Sequence, residues 1–160
     1  MRIQIHAVGR MKFGPERELA SRYLDRFAKS ASQLGLEFGG VSEIAESRAR
    51  DADQRKREET AKLHESLGPG AQLILLDERG KGLNSQEFAD MIVRHRDGGA
   101  RRLTFAIGGA DGHAAESRDR ADLVISFGAM TFPHQIMRIL IAEQLYRAVT
   151  ILSGHPYHRE

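Results

Sequence analysis

Short apolar runs alternate along the chain with longer stretches in which apolar residues recur every three or four positions. The short runs are typical of β-strands and the longer stretches of amphipathic helices. The pattern predicts strands over residues 2–8, 36–44, 72–77, 103–107 and 122–127. It predicts helices that begin at Pro15, near residue 51, after a cap at Asn84 and at residue 136.

Two of these runs decide the fold class. Residues 72–77 and 103–107 are almost continuously apolar, which is typical of strands covered on both faces in a parallel sheet. Strands and helices alternate along the whole chain, and no linker or repeat divides it. We therefore predict an α/β fold with a mostly parallel sheet, in a single domain over residues 1–160.

The last predicted helix is apolar around most of its circumference. Twelve of the seventeen residues from 136 to 152 are apolar, more than one face of a helix on a sheet requires. A homodimer interface would cover the remainder, and a central helix buried within its own domain is the alternative. Arg138 and Arg147 are expected to form buried or interfacial ion pairs, with Glu143 as a candidate partner.

Composition restricts the functional classes. The chain has 160 residues and a net charge of +2, and it contains no cysteine, so disulfides and thiolate metal sites are excluded. The N-terminus has no signal-peptide pattern, and the charges within the last helix make it a poor membrane span. His155 and His158 alone are a weak metal site. We expect a cytoplasmic protein that needs neither a membrane nor a metal.

Three glycine-bearing segments each follow a predicted strand, at residues 76–82, 107–112 and 127–134. Ligands of open α/β sheets bind beyond the carboxyl ends of the strands, and glycine lets the backbone approach a ligand closely. Together the segments predict one pocket, with ordinary turns as the alternative. The sequence has no dinucleotide fingerprint, P-loop or nucleophile elbow, so these residues alone predict only a small-ligand α/β domain.

A resemblance to a known family goes further. The motifs that carry it are Ile107-Gly108-Gly109-x-x-Gly112, Met130-Thr131-Phe132-Pro133-His134, Glu143-Gln144-Leu145-Tyr146-Arg147-Ala148 and the terminal His155-Pro156-Tyr157-His158-Arg159-Glu160. In this combination the chain resembles, over nearly its whole length, the ribosomal RNA large subunit methyltransferase H family. That family belongs to the SPOUT, or α/β-knot, methyltransferases. The resemblance implies a trefoil knot in the C-terminal half and a homodimer.

The resemblance also implies the residues of the site. S-adenosyl-L-methionine (SAM) would be held mainly by backbone groups and apolar walls, at Leu76, Gly108, Phe127, Gly128, Ala129, Met130, Thr131 and Phe132. The C-terminal tail offers the catalytic candidates. His158 is the candidate proton acceptor, Arg159 would stabilise an anion or a phosphate, and Tyr157 would stack or hydrogen-bond.

The implied reaction is N3-methylation of a pseudouridine in a stem-loop of 23S rRNA, on the assembled ribosome. Two alternatives remain: a related methyltransferase that acts on tRNA, and a ribosome-binding module without catalysis. His134 is expected to brace its loop through a hydrogen bond to a carbonyl, or else to touch the substrate. The arginines and the lysine between residues 48 and 57 form either a solvated helix face or a phosphate-binding patch.

Overall fold

The computed structural model describes residues 1–159, so Glu160, the last residue of the terminal motif, lies outside the described residues. The strands are β1 (Arg2–Val8), β2 (Glu37–Ile44), β3 (Ala71–Gly82), β4 (Arg102–Ile107) and β5 (Leu123–Ser126). The helices are α1 (Pro15–Ala31), α2 (Ala52–Ser66), α3 (Ser85–Asp97), α4 (Ala115–Arg120) and α5 (His134–Leu152). No helix within residues 1–159 is long and apolar enough to cross a membrane.

The strands form one five-stranded sheet in the order β2-β1-β4-β3-β5, and every neighbouring pair is parallel. The α/β prediction is confirmed, and the sheet is parallel throughout. β3 and β4 lie inside the sheet, which explains why their segments are apolar at nearly every position. All five strands end at the same edge of the sheet, where their following loops meet.

Alternate side chains of the inner strands serve two separate cores. Ile74 and Phe105 belong to the larger core, which also contains residues of α1, α3 and α5. Leu75 and Ala106 point to the smaller core, beside Leu63 of α2. Successive side chains of each strand point to opposite faces of the sheet, so both faces are covered by helices. The result is a three-layer arrangement, with α1, α3 and α5 on one face of the sheet and α2 on the other.

The helix starts predicted at Asn84 and Pro15 are both found in the structure. Asn84 accepts a hydrogen bond from the backbone N–H of Glu87 at 2.8 Å, and the Glu87 side chain accepts one from the Asn84 N–H at 2.8 Å. This reciprocal capping satisfies two backbone donors that the first turn would leave free. Pro15 occupies the first turn of α1, where its missing N–H costs nothing.

The segment after residue 76 differs from the prediction. The sequence places a glycine-bearing loop at 76–82, but β3 continues to Gly82 and contains a bulge. Both Leu76 and Lys81 pair with Ile125 of β5, so residues 77–80 are looped out of the ladder. Gly80 permits this because a Cβ there would stand 2.5 Å from the carbonyl carbon of Ile125.

Helix α5 is largely covered within its own domain. It packs against α1 and α3, and its middle residues, Ile141, Ala142 and Leu145, are fully buried. Ile136 is exposed, and Ile139 and Leu140 are half-buried. The alternative of a central helix is therefore correct for the middle of α5, while its N-terminal half keeps an apolar outer surface.

Candidate functional site

A cleft of about 690 Å³ lies at the edge of the sheet where β3, β4 and β5 end. Its wall is built from the bulge of β3, the loop after β4, the segment after β5 and the first turn of α5. Leu76, Phe127, Phe132 and Met137 contribute apolar surface to it. The sheet topology thus brings together three segments that are far apart in the sequence, as the prediction of one shared pocket requires.

The loop after β4 is packed so tightly that it needs glycine. A Cβ on Gly108 would stand 3.0 Å from the carbonyl carbon of Gly112, and Gly112 has a φ of 77°, which glycine adopts without strain. Arg55 of α2 fastens this loop from outside, because its guanidinium donates to both carboxylate oxygens of Asp111, at 2.6 and 3.1 Å.

A second ion pair fixes the bulge of β3. Arg118 of α4 donates to Asp77 Oδ2 through Nε and Nη2, at 3.1 and 2.8 Å. Burial raises the pKa of Asp77, but hydrogen bonds from the Arg79 backbone and Arg118 outweigh it, so the pKa lies below its usual value. Asp77 is therefore a carboxylate at neutral pH, and it ties the bulge to α4.

The predicted SAM contacts mostly converge on this cleft. It is lined by Leu76, Gly108, Phe127, Gly128, Met130, Thr131 and Phe132. Ala129 is the exception, because it is exposed and does not line the cleft. A turn just before Ala129 accounts for its exposure. Ser126 Oγ donates to the Gly128 carbonyl at 2.9 Å and accepts from the Gly128 N–H at 3.0 Å, and these two hydrogen bonds turn the chain at Gly128.

His134 lines the cleft at the start of α5, with its ring against Gly9, where a Cβ would stand 2.8 Å from His134 Cε1. The expected hydrogen bond to a loop carbonyl is wrong, since Nδ1 is buried without a partner among residues 1–159. Burial, with Arg138 adding to it, lowers the pKa of His134. His134 is thus a neutral ring at neutral pH that braces the loop by packing.

Two further histidines lie behind the cleft. His6 of β1 and His113 are buried, and the Nε2 atom of each lacks a hydrogen-bond partner among the described residues. Burial lowers the pKa of His6 to about 4, and the nearby charge of His113 contributes in the same direction. Burial also lowers the pKa of His113. Both rings are therefore neutral packing elements beneath the Gly108–Gly112 loop.

The C-terminal tail folds back on α5. Tyr157 Oη donates to Glu143 Oε1 at 3.1 Å, and the Tyr157 ring lies 4.8 Å from the ring of Tyr146. Arg147 pairs with Glu143, as predicted, and its Nη1 lies 3.3 Å from His158 Nδ1. Arg159 is exposed. The tail is therefore docked rather than frayed, at least as far as His158.

The tail does not reach the cleft of its own chain. The cleft touches α5 at Met137, whereas the tail contacts α5 at Glu143, Tyr146 and Arg147. Glu143 and Arg147 lie six and ten positions beyond Met137, which is about 9 and 15 Å along the helix axis. None of Tyr157, His158 and Arg159 lines the cleft, so one chain alone does not bring the predicted catalytic and cofactor residues together.

The comparisons with known proteins agree with this architecture. A family model described as "Predicted SPOUT methyltransferase" matches residues 1–158. The chain belongs to the SPOUT methyltransferase family.

Curated SPOUT relatives match nearly full length. A protein of Mesorhizobium japonicum is 62% identical over 159 residues, which cover 99% of each chain. One of Brucella anthropi is 65% identical over 159 residues with the same coverage. Both are named "Ribosomal RNA large subunit methyltransferase H". The crystal structure of a probable methyltransferase from Bordetella pertussis has a TM-score of 0.55 at 14% identity, covers 92% of this chain and 95% of its own, and shares the fold.

The roles of several cleft residues were not predicted from the sequence, although Asp77 lies within the predicted segment 76–82. Glu46, Asp77 and Arg118 line the cleft, yet each looks like an ordinary polar loop or helix residue in the sequence. Arg138 was expected beside Glu143, but it pairs with Glu43 and donates to the Gly9 carbonyl. These partners lie between 41 and 129 residues apart, so no local spacing signals them. The sequence gives one indication of such a partner, which is a charged residue, such as Arg138, within an otherwise apolar helix.

Proposed function

We propose that this chain is a SAM-dependent methyltransferase that methylates N3 of a pseudouridine in 23S rRNA, on the assembled ribosome in the cytoplasm. The observation that carries the proposal is the convergence of seven of the eight expected SAM-contact residues on one cleft. It is supported by relatives at 62–65% identity that are named as large-subunit rRNA methyltransferases. We further propose that residues 1–160 work as one domain and that two copies form the active unit.

The cleft fits SAM in size and in chemistry. Its volume of about 690 Å³ is within the range of cofactor pockets. Glu46 and Glu78 line it without an ion pair among residues 1–159, which suits the positive sulfonium and ammonium groups of SAM. Leu76, Gly108 and Phe127 would offer backbone groups and apolar walls to the rest. No group of metal-ligating residues is present in the described part of the chain.

The protein's contribution to the reaction is alignment and exclusion of water. SAM, when bound, would supply a methyl group attached to a positively charged sulfur; the nucleophile would attack the methyl carbon in line with the carbon–sulfur bond, and the sulfur would leave. Phe127, Phe132 and Met137 give the cleft apolar walls that keep water from the reacting atoms. The Asp77–Arg118 and Arg55–Asp111 pairs hold two of its walls in place, so that little reorganisation is needed when the substrate arrives.

The substrate must lose the proton on N3, and the tail carries the groups for this step. Burial, the Tyr23 hydroxyl and the Glu143 carboxylate raise the pKa of Tyr157, so Tyr157 remains a neutral phenol and acts as a hydrogen-bond donor. An arginine only donates, so His158 Nδ1 accepts from Arg147 and the ring proton lies on Nε2. His158 can accept the N3 proton only after it leaves Arg147, while Arg159 is free to hold an anion.

A second copy of the chain provides the geometry that one copy lacks. The outer surface of α5 keeps Ile136, Ile139 and Leu140 at least partly exposed, beside the cleft-lining Met130, which is itself exposed. Burial of this surface against a second copy would stabilise a homodimer. It would also allow the tail of one chain to lie at the cleft of the other, which accounts for a docked tail that is remote from its own site.

The first test is a calorimetric titration with SAM, followed by transfer of tritiated methyl groups to ribosomes and to tRNA. Gly108→Ala is expected to weaken SAM binding by about tenfold, because its Cβ forces Gly112 to move. Gly82→Ala is the matched control, since a Cβ at Gly82 meets nothing within 4 Å. Transfer to tRNA instead of ribosomes would reassign the substrate. A folded parent that binds no SAM would leave only the ribosome-binding module.

The composite site has a separate test by mixing. Gly108→Ala lacks a normal cleft, and Arg159→Ala lacks the exposed tail cation, so each homodimer should transfer methyl groups slowly. A heterodimer of the two retains one cleft and one tail that are both intact. In an equal mixture at equilibrium about half of the dimers are heterodimers with one intact site each, so activity should rise to roughly a quarter of the parental value. If mixed activity equals the mean of the two variants, the tail does not serve a partner's cleft.

A further inference from the structure

Phe13 is the most exposed large apolar side chain among residues 1–159, with 90% of its surface accessible. It lies in the loop that joins β1 to α1. The guanidinium of Arg17 lies 4.6 Å from the centre of its ring. One face of the ring is therefore covered by a cation, while the rest of the ring is presented to solvent. Such a placement adds little hydrophobic stabilisation, because almost none of the ring surface is removed from water.

The loop that carries Phe13 is held firmly at its base. The Gly9 N–H donates to the Ile44 carbonyl at 2.8 Å, and the Met11 N–H donates to Glu43 Oε1 at 3.2 Å. Arg138, which is buried, bonds to both Glu43 and the Gly9 carbonyl. An aromatic ring on an anchored loop loses little further conformational freedom when it binds a partner.

The charge around Phe13 identifies the kind of partner. Residues 10–17 contain Arg10, Lys12 and Arg17 against one carboxylate, Glu16. All three cations are exposed, and none forms an ion pair among the described residues. An exposed aromatic ring among free cations is the combination that binds single-stranded nucleic acid, because bases stack on the ring and phosphates pair with the cations.

The loop is also next to the cleft. Its first residue, Gly9, packs against the ring of His134, which lines the cleft. β1 is parallel to β3, β4 and β5, so the loop lies at the same edge of the sheet as the three cleft segments. A strand of RNA with one nucleotide in the cleft could therefore place a neighbouring nucleotide at Phe13.

We propose that loop 9–14 is a stacking site for an unpaired RNA base that neighbours the target nucleotide, with Phe13 as the platform and Lys12 and Arg10 as phosphate contacts. This inference rests on the proposed function, since it names where that substrate binds outside the cleft. A second copy of the chain is the competing occupant of Phe13. The charge of the loop favours RNA, because three free cations would repel their own copies.

The test measures the affinity of the full-length protein for a fluorescein-labelled RNA hairpin with a single-stranded uridine loop. Phe13→Ala is expected to weaken binding by roughly 5- to 150-fold, the usual range for the loss of one stacked base. Phe13→Tyr should bind like the parent. Val41→Ala is the matched control, because Val41 is another exposed apolar residue, on the edge strand β2. Lys12→Ala should reduce the dependence of affinity on salt by about one phosphate contact. Equal affinities for Phe13→Ala and the parent would overturn the proposal.

A spectroscopic readout separates stacking from a structural role. The chain contains three tyrosines but no tryptophan, so Phe13→Trp introduces a single tryptophan at the proposed site, and its fluorescence is excited selectively at wavelengths that tyrosine does not absorb. The hairpin should quench it in a saturable manner, and the fully paired duplex of the same stem should not. If the fluorophore is already buried without RNA and becomes exposed on dilution, Phe13 contacts a second copy and the proposal is wrong.

Methyl transfer to ribosomes keeps this inference distinct from the proposed function. If the parent methylates ribosomes, Phe13→Ala should raise the KM for ribosomes while SAM affinity stays unchanged. If the parent methylates ribosomes and Phe13→Ala has the same KM, the stacking site is wrong and the proposed function stands. If the parent transfers no methyl group to ribosomes, the proposed function fails, and hairpin quenching alone decides whether loop 9–14 binds RNA.

Discussion

The hydroxyl of Tyr157 donates a hydrogen bond to Glu143 Oε1 at 3.1 Å, and the same carboxylate oxygen accepts from Arg147 Nε at 2.9 Å. Glu143 is therefore the residue that joins the tail to α5. Arg147 adds a second contact, since its guanidinium lies 4.9 Å from the centre of the Tyr157 ring. Glu143 itself does not line the cleft, so the tail and the cofactor site can be perturbed separately.

Glu143→Ala should release the tail without affecting the cleft. We expect SAM affinity to remain within about twofold of the parent, while methyl transfer falls on the order of 100-fold, the usual result of misplacing catalytic groups. Tyr157→Phe keeps the ring packed against Tyr146 and should reduce the transfer rate tenfold at most. Calorimetry and transfer kinetics on the same preparations check this. Parallel losses of SAM affinity and transfer rate would show that Glu143 supports the cleft instead.

The Asp77–Arg118 pair should matter more for stability than an exposed pair of the same type. The Asp77 side chain is only 6% exposed, so Arg118→Ala leaves a buried carboxylate without its partner and should cost on the order of 2–3 kcal/mol. Arg2 and Glu37 are 46% and 66% exposed, and Arg2→Ala should cost less than about 1 kcal/mol. Urea unfolding at neutral pH measures both, and similar losses would refute the distinction.

Stability should fall as the pH is lowered through the range of His6. Its pKa is about 4 in the folded protein and about 6.5 when unfolded. The unfolded chain therefore takes up the proton first, so stability is full above about pH 6.5 and is lost progressively down to pH 4. The loss from His6 alone is about 3 kcal/mol.

Ser66 Oγ donates to the Leu63 carbonyl at 2.7 Å, so it accepts from His6 Nδ1, which lies 3.3 Å away. The variant that tests this pH dependence is His6→Asn, whose amide N–H can replace that donor. Its unfolding free energy should depend less steeply on pH than that of the parent between pH 4 and 6.5. Some slope will persist, because burial also lowers the pKa of His113. Urea unfolding at a series of pH values provides the measurement. Identical slopes would mean that His6 is protonated in the folded state.

Gly80→Ala and Gly82→Ala differ only in what the added methyl group meets. At Gly80 it would stand 2.5 Å from the carbonyl carbon of Ile125, whereas at Gly82 nothing lies within 4 Å. We expect Gly80→Ala to cost about 1–3 kcal/mol through overpacking and Gly82→Ala less than about 0.5 kcal/mol. Thermal unfolding of the two variants decides the matter, with SAM titration as a check on the cleft.

The elements of this fold could be predicted because each has a local cause. Apolar periodicity marks the strands and α1, and the reciprocal cap at Asn84 and Glu87 marks the start of α3. Helix α4 was not predicted, since its six residues are too few to show a period and Ser117 is its only buried side chain. The parallel direction of the strands could be predicted from the apolar runs of β3 and β4, because strands that are covered on both faces are typical of parallel sheets.

The site was predictable in outline and not in detail. Its glycine segments were identified in the sequence, but the bulge of β3 resembled a loop because its pairing with Ile125 depends on β5, more than forty residues away. Ala129 was predicted from the resemblance together with its neighbours, and the turn at Ser126 and Gly128 leaves it exposed and outside the cleft lining. A knot, which the resemblance implies, is a matter of how the chain threads, and no local pattern encodes threading.

Leu76 and Lys81, on the two sides of the bulge, both pair with Ile125. The two ends of loop 77–80 are therefore held at a fixed distance from each other. An ordinary surface loop tolerates an added or deleted residue, since its ends are free to adjust. Here only Lys81 and Gly82 of β3 follow the bulge, so a change of one residue between Leu76 and Lys81 would move Lys81 off its pairing with Ile125. Among natural variants of this chain, length changes should therefore accumulate in other loops, while this stretch varies in composition and keeps its length.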